Sequence, residues 1–138
     1  MMQREFTVLT DVSLITCVVQ RGKAEGVVQA AQDAGAQGAT IHYGQGSGVR
    51  ERLGLLGLAV DVEKEIITIL CGDDQLDQVF EKMFVAAELD LPGAGIMYVT
   101  QLDKAATFVP KDIIERIHQR DFQGRGGVGI DIAGDDGK

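Results

Sequence analysis

The chain has 138 residues, 45% of them hydrophobic, which suits one core and one small domain. A formal net charge of −8, with aromatics at 5% and no Trp, excludes an electrostatic grip on nucleic acid or anionic membranes and a base-stacking aromatic sheet. No apolar run approaches the roughly 18–20 residues of a membrane span, and the start Met-Met-Gln-Arg-Glu-Phe-Thr-Val lacks a signal peptide's apolar centre. The expected location is therefore the cytoplasm, without direct membrane insertion.

Residues 1–12 read as an N-terminal arm or a short extra strand. Residues 14–20, Leu-Ile-Thr-Cys-Val-Val-Gln, are β-rich and almost wholly apolar, as in a central strand. Residues 23–34 place Val27, Val28, Ala31 and Ala34 on one helical stripe, and Gly35 suits the helix end. A second strand is expected over 39–43 and a third over 65–71. Asp73 or Asp74 is the expected cap of a second helix, whose apolar positions are Leu76, Val79, Phe80, Met83, Phe84 and Ala87. Leu-Pro-Gly-Ala-Gly at 91–95 ends that helix, and 96–102 is the fourth strand. Pro110 suits the first turn of a short C-terminal helix bearing Ile113, Ile114 and Ile117. The glycine- and aspartate-rich stretch 124–138 reads as a flexible tail. Cys17 and Cys71 lie in separate apolar runs and read as buried free thiols rather than a disulfide.

This order, β-α-β, long loop, β-α-β, predicts an α+β fold. It is the ferredoxin-like βαββαβ sandwich: four antiparallel strands with two helices on one face. The strands are apolar on both faces, so the uncovered face predicts a symmetric oligomer.

The segment between the second and third strands carries the functional signal. About twenty residues intervene where a hairpin needs two to five. Gly44, Gly46 and Gly48 alternate along it, Arg50 and Arg52 follow, and then comes the apolar run 53–60. The glycines suit either close ligand approach or a twisted β-extension. The two arginines suit an anion or a partner, or are solvated. The run 53–60 is either an apolar tip for a protein partner or a strand folded onto a neighbouring subunit. Catalytic patterns are missing from the sequence: there is no His-x-x-x-His, Cys-x-x-Cys or nucleophile motif, so the protein reads as a non-enzyme. His42 reads as a strand-face residue and His118 as a solvated one, and two histidines with two separate cysteines make no zinc set.

Several motifs resemble the P-II-type nitrogen regulatory signalling proteins. They are Leu14-Ile-Thr-Cys-Val-Val with Lys23, Val27 and the run from Ala34 to Thr40; Gly46-Ser-Gly48; Asp73-Asp74 with Asp77; and Pro92-Gly93-Ala94-Gly95-Ile96-Met-Tyr-Val99. The likeness covers residues 13–110, with 111–138 as C-terminal helix and tail. It implies a homotrimer acting in signal transduction and regulation of nitrogen utilisation. Clefts between subunits would bind a small ligand, an adenine nucleotide (ATP, ADP or AMP) or another small anion, with no cofactor required. A mobile T-loop, residues 44–62 here, would then control a partner such as a membrane transporter.

Loop composition and resemblance together nominate Thr40, Gly46, Ser47, Gly48, Val49, Arg50, Arg52, Gly93, Ala94, Gly95 and Ile96 as ligand-binding. Leu53, Leu55, Leu56 and Leu58 are nominated as the partner-binding stretch. The chain diverges where the family carries phosphate-holding cations: those positions read Ile96, Thr107 and Val109, and Ala94 replaces an aspartate. Arg50, Arg52, Arg21, Lys23 and Lys104 are the alternative cations. Two other readings stay open. One is a trimeric interaction module without ligand sensing; the other is a metal-responsive protein similar to the divalent-cation-tolerance family.

Overall fold

A computed structural model of the protein describes residues 4–46, 62–122 and 129–135. Its strands are β1 (Arg4–Thr10), β2 (Val12–Gln20), β3 (Thr40–Gly46), β4 (Val62–Gly72), β5 (Gly95–Leu102), β6 (Ala105–Ala106) and β7 (Gly129–Asp135). Its helices are α1 (Ala24–Asp33), α2 (Leu76–Ala86) and α3 (Lys111–Phe122). The main sheet has the order β3-β4-β2-β5, all antiparallel. With α1 between β2 and β3 and α2 between β4 and β5, this is the ferredoxin-like α+β arrangement.

Alternation decides which side of each strand is buried. Ile15, Cys17 and Val19 of β2 and Ile67, Ile69 and Cys71 of β4 point to the helices. They pack with Val27 and Ala31 of α1 and Val79 and Met83 of α2 in one core. Each fully buried Ile, Val or Met side chain contributes about 1.5–3 kcal/mol of transfer free energy. The opposite face has no cover from α1 or α2. There, register aligns Val18 with Ile66 and Ile96, and Leu14 with Leu70 and Thr100. Leu70, Ile96 and Tyr98 are exposed on that face.

The helix ends are held in ways that local sequence does not announce. Gly35, at φ +113°, follows α1; its N–H bonds Gln32 O while the Ala36 N–H bonds Ala31 O, a Schellman ending. Glu88, at φ +54°, ends α2 by the same pattern without a glycine. At the start of α1, Lys23 provides no side-chain cap. Glu65 of β4 does that work instead: its buried Oε1 accepts from the Gly22 and Ala24 N–H groups.

The structure corrects the second-helix cap. Neither Asp73 nor Asp74 caps α2; Gln75 occupies the N-cap position, without a side-chain bond. The carboxylate of Asp73 is drawn elsewhere, accepting from Ser13 Oγ at 2.7 Å and from Gln101 Nε2 at 3.5 Å.

At the N-terminus, residues 4–10 form a strand, one of the two readings of the sequence there. The C-terminal end differs: the tail expected to be flexible carries β7. These pair antiparallel, from Arg4 opposite Asp135 to Thr10 opposite Gly129, and β6 joins the other edge of β1. Ile130 and Ile132 alternate with aspartate and alanine in a short period-two pattern, which the surrounding glycines obscure. The result is a second sheet, β6-β1-β7, with α3 lying against β7.

The two cysteines are free and buried. Cys71 pairs across the ladder with Ser13, four residues along β2 from Cys17. That offset is about 13 Å, beyond the reach of a disulfide.

Candidate functional site

Strands β3 and β4 stay in register up to Gly46 opposite Val62. The two ends of the intervening loop therefore leave the sheet at one point. Beside that root lies an open groove of about 620 Å3 lined by Arg21, Gly22, Tyr43, Gly44, Gln45, Glu63, Lys64 and Glu65. Arg21 Nη1 contacts Glu63 Oε2 at 2.9 Å, with both side chains largely in solvent. Lys64 makes no ion pair among the described residues, and its stem crosses the face of Gly46: a Cβ there would meet Lys64 Cγ at 3.3 Å. Tyr43 is 79% exposed beside it. The groove thus offers a ring face, flat backbone, two cations and two carboxylates, a composition suited to a small polar or heteroaromatic ligand.

The turn 93–96 lies at the same end of the sheet. Gln20 Nε2 donates to Gly93 O at 2.9 Å. Gly95 passes so close to β2 that a Cβ would stand 2.0 Å from Val18 O, and its φ is +152°. Packing alone therefore requires glycine at 95. Ile96 is 59% exposed on the uncovered face.

The nominated residues are only partly brought together. Gly95, Val19, Glu65 and Tyr43 form one cross-strand row. Three strand spacings separate its ends, about 14 Å. So Gly46 and the 93–96 turn share an end of the sheet, but β2 and β4 stand between them. Thr40 is at the far end of β3, six residues or about 20 Å from Gly46. It pairs there with Thr68, whose Oγ1 donates to Thr40 O at 3.5 Å. Ser47, Gly48, Val49, Arg50 and Arg52 lie outside the described residues, as do Leu53, Leu55, Leu56 and Leu58.

Of the alternative cations, Arg21 lines the groove, while Lys23 sits 3.7 Å from Glu88. Val109, one of the positions where the resemblance expects an arginine, packs into a second apolar cluster with Leu9 and Val12. Gly22, Tyr43, Gln45, Glu63, Lys64 and Glu65 line the groove but were not nominated as ligand-binding from sequence. Their signal is positional: register sets Lys64 opposite Gly44 and Gln20, at the loop root.

Burial pushes the Cys17 thiol up to about 11. The Cys71 thiol is also raised, by burial first and then by the charges of Asp74 and Asp73. Neither thiol is poised as a nucleophile. Among the described residues no group of three or more His, Cys, Asp and Glu could hold a metal, and no helix is long and apolar enough to cross a membrane.

No curated protein matches the sequence. Among solved structures, the fold resembles that of Arabidopsis thaliana PII bound to citrate, with a TM-score of 0.54. The two are 19% identical over 68% of this chain and 79% of that one, a likeness of fold. A family model, nitrogen regulatory protein P-II, matches residues 12–125, which includes the whole main sheet, both covering helices and the loop. The chain belongs to the nitrogen regulatory protein P-II family, a family of regulatory proteins.

Proposed function

We propose that this protein is a ligand-responsive regulator that works as a homotrimer in the cytoplasm. Its uncovered sheet faces turn inward. Its clefts between subunits take a small anion, with adenine nucleotides (ATP, ADP or AMP) as the leading class. Its loop between β3 and β4, expected over 44–62 but leaving the sheet only after Gly46 and rejoining it at Val62, transmits occupancy to a partner protein, a membrane transporter being the leading kind, in nitrogen regulation. The supporting observation is the pairing of Gly46 with Val62 beside a groove bearing Arg21 and Lys64. A ligand held there touches both ends of the loop, so binding biases the loop's ensemble directly. The 93–96 turn stands about 14 Å away within one subunit, so a compact site that uses both elements draws one of them from a neighbour.

Calorimetric titration with ATP, ADP, AMP, cyclic AMP and bicarbonate tests the reading. At least one should bind, and Arg50→Ala should weaken it by about tenfold, the worth of one charge-assisted contact. Absence of heat and of thermal shift with all five would overturn ligand sensing. That outcome would favour the second reading, a ligand-independent interaction module. Two observations support it: Val109 is engaged in packing, and Gly95 is required by β2 rather than by a ligand.

A further inference from the structure

The buried side chains of the described residues fall into two separate groups of unequal size. The main core lies between the sheet and α1 and α2. The second has only Leu9 and Val12 as buried members, with Leu102, Ala105, Val109 and Ile114 packed around them. The ladders divide in the same way. β1 pairs with β6 and β7, β2 pairs with β4 and β5, and among the described residues no ladder joins the two sheets. Where β1 runs into β2, Asp11 has φ +56°, a left-handed conformation that is uncommon for a residue other than glycine. At that junction the Asp73 N–H donates to Asp11 O at 2.9 Å. Both long strands of the second sheet, β1 and β7, lie outside the stretch 12–125 that matches the family model.

We propose that β1, β6, α3 and β7 form a strap that opens as one cooperative unit about Asp11 while the ferredoxin-like core stays folded. The energetics follow from the two cores. Opening exposes the small Leu9 cluster and breaks the β1 ladders, but leaves every member of the main core buried. It is therefore a low-lying opening relative to global unfolding. Its effect on the surface follows from register. Val12 pairs with Leu102, and both share the sheet face of Leu14, Thr16 and Val18. The closed strap covers this last row of the otherwise uncovered face. An open strap lengthens the apolar face by that row, so strap and face compete for the same surface. The inference is independent of any ligand at the loop root.

Hydrogen exchange on the full chain, read by mass spectrometry in the regime where exchange reports opening equilibria, tests it. Amides of 4–10 and 129–135 should be protected, yet exchange at least tenfold faster than those of 14–20 and 65–71. Leu9→Ala removes contacts that are lost both in strap opening and in global unfolding, so it should speed exchange of 4–10 and 129–135 by a further tenfold or more and leave them faster than 14–20 and 65–71. Ile67 stays buried when the strap opens, so Ile67→Val should speed the core strands several-fold and leave the strap strands unchanged. Equal exchange in both sets, or acceleration of both sets by Ile67→Val, would show one cooperative unit and overturn the strap. Exchange of 129–135 at the rate of an unstructured peptide would overturn it too, because β7 would then not be paired.

Discussion

Ser13 Oγ donates to Asp73 Oδ1 at 2.7 Å across a sequence separation of 60 residues. Ser13 is 2% exposed at the start of β2, and Asp73 opens the turn that leads into α2. The bond ties the turn to the sheet, and Gln101 of β5 adds a weaker contact to the other oxygen. Asp73→Ala strands a buried hydroxyl and should destabilise the fold by about 1–3 kcal/mol in urea denaturation. Asp73→Asn retains an acceptor and should cost less than half as much. If Asp73 acted as a helix cap instead, Ser13→Ala would be neutral; here it should cost about 1 kcal/mol.

Gly95 and Gly93 both have positive φ, yet they should respond differently to substitution. At Gly95 an added Cβ meets the Val18 carbonyl oxygen at 2.0 Å, a clash that only separation of β5 from β2 relieves. Gly95→Ala should cost more than about 3 kcal/mol. At Gly93, where φ is +76°, Gly93→Ala should cost only about 1 kcal/mol of conformational strain. Chemical denaturation of the two variants side by side checks the ranking; equal losses would contradict the close β2–β5 approach.

Alkaline pH should weaken the fold through the thiols. The Cys17 thiol is raised from an ordinary 9.0 to about 11. Between those values the unfolded chain has released its proton while the folded chain keeps it. Stability is therefore fully present below about pH 9 and falls as pH rises toward 11. The full effect is about 3 kcal/mol. The raised Cys71 thiol acts in the same direction. Cys17→Ala should flatten the fall measured by denaturation at stepped pH, and the double variant Cys17→Ala, Cys71→Ala should flatten it further. An unchanged slope in the double variant would assign the fall to other groups.

The uncovered face should govern assembly. Leu70 is 39% exposed on that face, in the row with Leu14 and Thr100. Leu70→Asp places a charge in solvent in the monomer, at small cost to folding, but in a dry interface in a trimer. Light scattering coupled to sizing should report a trimer for the parent chain and a monomer for Leu70→Asp, with unchanged far-ultraviolet circular dichroism. A variant that keeps the parent mass would place the interface elsewhere.

Much of the main sheet was legible in the chain because its signals are local. Near-continuous apolar, β-rich runs at 14–20 and 65–71, the helical stripe of Val27 and Ala31, and the Leu-Pro-Gly-Ala-Gly break each declare an element within a few residues. Once those elements stand in order, short connections and crossover rules leave few arrangements besides β3-β4-β2-β5. The second strand, expected over 39–43, runs on to Gly46, so Gly44 and Gly46 extend β3.

What only the tertiary structure decided depends on partners distant in sequence. Glu65 supplies the missing cap of α1 from 41 residues away, and nothing near Lys23 signals it. Asp73 looks like a cap in sequence, but Ser13 takes its carboxylate. Gly93-Ala94-Gly95 looks like ligand chemistry, yet the Val18 carbonyl accounts for Gly95. The short pattern of β7 becomes a strand only because β1, at the other end of the chain, offers a matching edge. Local sequence carries periodicity and turn chemistry; it does not carry the register between distant strands. That register placed Lys64 beside Gly44 at the loop root and set the 93–96 turn two strands away from it.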